Sequence, residues 1–206
     1  IPPIKLVERG EINHAAMEIL LSNMRVRDER IGDFNSGLAA CHTAERRVRE
    51  LITRYGIKTL LAGVQSNLER SEARMRAQIA KLPDGEYFYE DYLETFSQPP
   101  EYRLEPLLLP LHLTVTGETL TADFTGAAEQ APAPVNSTLA VTAASVFITL
   151  KSVFDPTQAL NHGSFRPVSV IAPLGTIVNV THPAPAGSHG EIRKRVIATM
   201  LGALAH

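Results

Sequence analysis

LHLTVTGETLTADF, Leu111 to Phe124, is the stretch on which the architecture turns. Leu111, Leu113 and Val115 alternate with His112, Thr114 and Thr116. After Gly117-Glu118, Leu120, Ala122 and Phe124 return with Thr121 and Asp123 opposite. A period of two places alternate side chains on opposite faces, and Gly in a two-residue connection suits a tight hairpin. The stretch therefore predicts two antiparallel strands with one apolar face. His112 falls on the polar face, where an exposed imidazole is expected.

Upstream the periodicity changes. Leu60, Leu61, Val64, Leu68, Met75, Ile79 and Leu82 recur at helical spacings, Glu72 precedes Arg76 by four, and Pro83-Asp84-Gly85 closes the run. Thr59 is the candidate N-cap. Before it, Leu38, Cys41, Val48, Leu51, Ile52 and Tyr55 give a second stripe, with Asp33, Asn35 or Ser36 as candidate caps and Gly56 as terminator. Met17, Leu20, Leu21 and Met24 mark a short first helix, after an extended segment closed by Gly10. Between Gly85 and the hairpin, GEYFYEDYLETF reads as an aromatic-rich strand.

Downstream, a Pro-rich loop leads to an almost wholly apolar helix at 138–154, capped by Asn136 or Ser137 and expected to be buried all round. Val168 to Ile171 reads as buried strand before a Pro-Leu-Gly turn, and a last helix starts near Glu191. The fold class is α+β. A helical region over 1–84 precedes an α+β region over 85–206, in which a mostly antiparallel sheet carries a buried helix and a closing C-terminal helix.

Bulk properties exclude several classes of function. The 206 residues are 44% hydrophobic and 20% charged, with net charge −2, so no basic footprint marks a nucleic-acid binder. Arg46, Arg47 and Arg49 lie among Glu45 and Glu50, as on a solvated helix face. No apolar run approaches the roughly 20 residues of a membrane span. A single cysteine, Cys41, expected as a buried thiol, allows no internal disulfide and suits a reducing cytoplasm. The chain opens IPPIKL without Met and stops within a helical pattern, which suggests part of a longer polypeptide.

Three polar segments interrupt the apolar pattern where regular elements begin or end, positions that gather binding residues. They are DFTG from Asp123, VNST from Val135, and NHGSFRP from Asn161. Arg166 can fork onto a carboxylate or phosphate. Asp123 can act as a base or pair with Arg166. A helix start at Asn136 and Ser137 would offer free N–H groups to an anion or a carbonyl oxygen. Asn161, His162 and Ser164 complete the candidate substrate-binding set, with Arg166 and Asp123 as the candidate catalytic pair. The alternative keeps these residues structural, as caps, turns and a local ion pair. His182, His189 and Glu191 share one loop and only weakly permit a metal, so no metal ligands are assigned within the chain.

The order of segments resembles the hydantoinase B/oxoprolinase family. The matching runs are IPPIKLVERGEIN, RMRAQIAKLPDGEYFYEDYL, LTADFTGAAEQAPAPVNSTLAVT, LNHGSFRPVSVIAPLGTIVNV and RVIATMLGALA. The resemblance implies a subunit of an ATP-dependent amidohydrolase of the hydantoinase or 5-oxoprolinase type. A hydantoinase A-type partner would use ATP to activate the oxygen of a cyclic amide, and the B-type subunit would process the product within a cytoplasmic hetero-oligomer. Acetone and acetophenone carboxylase subunits are related, and a purely structural assembly core is the non-enzymatic alternative. The family's NDPY…GGTH…D region, which resembles a metal-binding segment, is absent, so any divalent metal would be held outside this chain. The family's usual AGGNVETSQRV becomes AGSHGEIRKRV here. Gly187 and Glu191 match, whereas Ser188, His189, Gly190, Ile192, Arg193 and Lys194 do not, and Arg193-Lys194-Arg195 forms a basic run. In this reading Arg166 and the helix-start amides would favour negative charge growing on an activated oxygen.

Overall fold

In a computed structural model, the structure describes residues 4–94, 105–187 and 189–205. Thr95 and Phe96 of the aromatic-rich strand, and Ser188 of the altered loop, lie outside them. The chain divides into two compact units, Ile1–Gly63 and Val64–His206.

In the first unit, β1 (Val7–Glu8) and β2 (Glu11–Ile12) pair antiparallel around Gly10, whose φ of +89° suits a residue without Cβ. Helix α1 (His14–Ser22) is capped by Asn13, whose Oδ1 accepts from the Ala16 N–H at 3.0 Å. Helix α2 (Arg27–Tyr55) starts well before the expected caps at 33–36, and Asp28 and Glu29 complement the dipole in its first turn. Gly56 ends it as expected, its N–H donating to the Ile52 carbonyl at 2.8 Å. No residue of α2 is buried, so Cys41 is exposed rather than enclosed. Arg49 pairs with Glu45, and Arg46 and Arg47 with Glu50, as on a solvated face. Helix α3 (Ile57–Ile79) begins directly after Gly56, which places Thr59 inside its first turn rather than at its cap. The boundary between the units falls within this helix.

The second unit carries a four-stranded sheet in the order β3-β4-β5-β6, formed by β3 (Gly85–Leu93), β4 (Leu107–Thr116), β5 (Thr119–Asp123) and β6 (Val168–Ile171). The predicted hairpin is β4 and β5, with Thr116 opposite Thr119 and His112 opposite Asp123. Asp84 accepts from the N–H of the hairpin's Gly117 at 2.8 Å, tying the end of the helical segment to that turn. β6 joins β5 in parallel, which requires the intervening long crossover. Leu109, Leu111, Leu113, Val115, Leu120 and Ala122 line one sheet face and are buried, whereas His112 is exposed.

Helix α5 (His189–Leu204) packs on β3 and β4, and α4 (Leu139–Phe154) packs on α5. The core joins the apolar sheet face to Val146 and Leu150 of α4, to Ile192, Val196 and Met200 of α5, and to Met75 and Ile79 at the end of α3. Gly202 permits the close approach of α5 to β3, because a Cβ there would lie 2.6 Å from the Tyr89 ring.

The expectation that α4 is buried all round is corrected. Leu139, Ile148 and Val153 are exposed, while Thr142, Ser145 and Thr149 are buried. These hydroxyls survive burial because each is hydrogen-bonded. Ser145 donates to the Val141 carbonyl at 2.7 Å, Thr149 to Ser145 at 2.8 Å, and Thr142 to Val178 at 2.6 Å. Hydropathy sets how much of a helix is apolar; it does not set which face its neighbours cover.

Candidate functional site

The three polar segments occupy different places and make different bonds. Asn136 and Ser137 precede α4, but the cap residue is Thr138. Asn136 is fully buried and spent on backbone groups of its own loop and of Pro185. Its Oδ1 accepts from the Ala131 N–H at 2.8 Å. Its Nδ2 donates to the carbonyls of Ala131 and Pro185, both at 2.8 Å, and of Ala133 at 3.1 Å. Ser137 joins the same construction through its backbone, donating to Ile177 at 2.7 Å and accepting from Val180 at 2.9 Å. Ile177 and Val178 carry no regular strand, yet both are completely buried against this loop and the core.

Asp123 ends β5 in a local turn. Its Oδ1 accepts from the Thr125 N–H at 2.8 Å and from the Thr125 hydroxyl at 2.6 Å. Arg166 precedes β6 at the opposite end of the parallel pair. Asp123 lies opposite Ile171, so the strand from Val168 to Ile171, about 10 Å long, separates its level from the loop of Arg166. The alternative of an Asp123–Arg166 ion pair is therefore corrected: Arg166 instead donates from Nη1 to Glu72 Oε2 of α3 at 3.1 Å. Glu72 Oε1 also accepts from Arg76 Nε at 3.0 Å and Nη2 at 2.8 Å. The hydrogen bonds from Arg76, then from Arg166, hold the Glu72 carboxyl below its ordinary range.

The 161–167 segment is clamped from two sides. Asn161 caps a short 3₁₀ helix (His162–Phe165), accepting from the Gly163 N–H at 2.9 Å and donating to Ser71 Oγ of α3 at 2.7 Å. Gly163 lies so close to α3 that a Cβ would stand 2.0 Å from the Leu68 carbonyl oxygen. On the other side Phe165 stacks on Phe147 of α4, with ring centroids 4.4 Å apart. His162 is exposed. Ser164 is buried, and its hydroxyl has no partner among the described residues.

Beside this clamp lies an ion cluster that the sequence reading missed. Asp155, at the C-cap of α4, takes Arg74 Nη2 on Oδ1 at 2.6 Å and Lys151 Nζ on Oδ2 at 3.0 Å. Lys151 and Asp155 are both buried, so each charge depends on the other. The pair sits at i and i+4, a readable signal, but Arg74 is remote in sequence and only folding brings it near. No group of three His, Cys, Asp or Glu side chains gathers as a metal centre among the described residues. His189 Nδ1 approaches only the Ala186 carbonyl, at 3.4 Å, and Glu191 pairs with Lys194. Arg195, the last residue of the basic run, reaches Asp91 of β3 at 3.1 Å.

Comparison with known proteins places the chain. The model of the Hydantoinase B/oxoprolinase family matches residues 1–206. An uncharacterized protein of Methanocaldococcus jannaschii is 33% identical over 209 residues, covering 100% of this chain and 35% of its own. The B-type subunit of a putative D-/L-hydantoinase of Pseudomonas sp. is 32% identical, covering 98% of this chain and 35% of its own. The crystal structure of the ATP-dependent caprolactamase of Pseudomonas jessenii superposes with a TM-score of 0.89 at 28% identity, over 99% of this chain and 35% of that one. A nucleotide-free acetone carboxylase structure shares the fold, with a TM-score of 0.82 at 17% identity over 92% of this chain and 26% of that one. The chain spans about a third of the length of the relatives it matches. By the match of its whole length, the chain belongs to the hydantoinase B/oxoprolinase family.

Proposed function

We propose that this chain forms part of the B-type subunit of an ATP-dependent amidohydrolase that opens a cyclic amide, working in a cytoplasmic complex with an A-type, ATP-using partner. The observation that carries this reading is the likeness to the ATP-dependent caprolactamase across 99% of the chain. The 32% identity to the B-type subunit of a putative hydantoinase supports it. The likeness to acetone carboxylase is one of fold, so carboxylation remains the runner-up.

The chemistry gives such a partnership its logic. An amide carbonyl resists water because nitrogen donation must be lost on the way to the tetrahedral state. Phosphorylating the oxygen removes that resistance before water adds. Overall, one lactam, one ATP and two waters yield the ring-opened amino acid, ADP and phosphate. Within this scheme the present chain supplies a frame. Asn136 fixes one loop from inside, and the clamp on Gly163 and Phe165 fixes another. Reacting groups are then held on rigid supports, as positioning requires.

The test uses the full-length subunit with its A-type partner. Lactam, hydantoin and 5-oxoproline are offered with ATP, and ring-opened acid and ADP are measured together. Substrate-dependent ADP formation matched to ring opening is expected. ATP-dependent incorporation of bicarbonate into a ketone would transfer the protein to the carboxylase class, and no coupled turnover on either substrate type would overturn the reading.

A further inference from the structure

Next to the clamp, between α3 and the segment that follows α4, lies a cleft of about 180 Å³ lined by Asn67, Arg70, Ser71, Arg74, Asp155 and Gln158. We propose that this cleft is a binding site for a small tetrahedral oxyanion of the phosphate class.

The chemistry of the lining groups points to that ligand. Asn67, Arg70 and Ser71, and Arg74 one turn on, fall at spacings that share a helix face. Asp155 is the lone acidic lining residue, and both of its carboxylate oxygens are engaged, by Arg74 and by buried Lys151. Its charge is therefore met twice over. Arg70 makes no hydrogen bond or ion pair among the described residues, and Ser71 Oγ accepts from Asn161 while its own proton has no acceptor there. The acidic neighbours on α3 are occupied elsewhere: Glu69 accepts from Gln65, and Glu72 from Arg76 and Arg166. What faces the cleft is thus a surplus of N–H and O–H donors and of positive charge, with no carboxylate oxygen left open. A ligand rich in acceptors and negative charge answers that set, and guanidinium forks suit phosphate geometry.

Size narrows the class. At about 30 Å³ per liquid water, the cleft holds roughly six waters. That suffices for a phosphate group with part of its hydration. Free phosphate and the terminal phosphate of a larger molecule present the same chemistry.

The experiment titrates the purified full-length subunit with inorganic phosphate by calorimetry, at low and at high KCl. One saturable site with Kd on the order of 1 mM is expected, weakening as salt rises. Arg70→Gln should weaken binding about tenfold, Asn67→Asp should abolish it, and Arg47→Gln on α2 should leave it unchanged. Arg70 is exposed, so its variant should keep the wild-type melting temperature. Competition by ADP would identify the source as a nucleotide's terminal phosphate. Lack of competition would identify the free ion, and either result sustains the site. Absence of saturable phosphate binding, or an Arg70→Gln variant that binds as the wild type does, would overturn it. These results do not depend on whether the protein opens a cyclic amide.

Discussion

The 131–137 loop and the 161–167 loop both place an asparagine and a serine at the edge of a regular element, yet they are built in opposite senses. In the first, Asn136 turns inward and saturates itself on carbonyls of its own loop and of Pro185. In the second, Asn161 reaches out to Ser71, Arg166 reaches Glu72, and Gly163 rests on the Leu68 carbonyl. The first loop is a plug whose asparagine and serine are buried. The second is a strap laid over α3, with a polar cleft at its margin. Similar amino acids thus serve enclosure in one place and docking in the other. The difference lies in whether the backbone around them or another helix supplies the partners.

That contrast can be broken most forcefully at Gly163. Gly163→Ala drives a methyl into backbone that cannot yield, so the strap must lift or α3 must move. A loss of about 3 kcal/mol or more is expected, read as a fall in the urea midpoint. An unchanged midpoint would show that the strap does not bear on α3.

Asn136→Ala comes next. It strands buried carbonyls and the Ala131 N–H, at a cost of about 2–3 kcal/mol, seen as a lower melting temperature. Because the residue has no exposed surface, turnover per folded molecule should be unchanged. A specific loss of turnover at full stability would move Asn136 into the binding site.

Ser164→Ala should shift stability by no more than about 1 kcal/mol, and upward, since it removes a buried hydroxyl that has no partner among the described residues. Loss of substrate affinity in a stable Ser164→Ala enzyme would instead show that the hydroxyl meets a ligand.

The smallest effect belongs to Glu72 with its two guanidinium partners, Arg76 and Arg166, and it is a pH effect. Glu72 is lowered from an ordinary value of 4.5 in the folded chain. Its contribution is therefore complete above the unfolded carboxylate range and is lost as pH falls through the folded value. Glu72→Gln should slightly reduce stability at neutral pH and make no difference in acid. Parallel wild-type and variant curves across the whole acid range would deny the Glu72 contacts any role.

Much of the second unit was legible because its signals are local. The Leu111–Phe124 alternation needs only the pleat, and the Gly117 turn needs only its backbone freedom, so both strands appear where periodicity put them. The ends of helices were less legible. α2 runs on from Arg27 because nothing between there and Leu38 forbids helix, and Thr138 takes the cap expected at Asn136 or Ser137. The candidate site was legible as residue types and not as a constellation. Asp123, Asn136 and Arg166 were each found at element ends. Thr125 is a local turn partner of Asp123, but Pro185 and Glu72 lie 49 and 94 positions from Asn136 and Arg166, separations no local rule could choose.

The sequence by itself determined the alternation of elements, the family likeness, and the absence of a nucleic-acid footprint or a membrane-length apolar run, because each is a property of neighbouring residues. Tertiary structure decided which face of α4 is covered, that β6 runs parallel to β5, and that Arg74 and Asp155, 81 positions apart, share one cleft. Those outcomes depend on which surfaces pack together, and a chain of short-range preferences leaves that to the burial of the whole core.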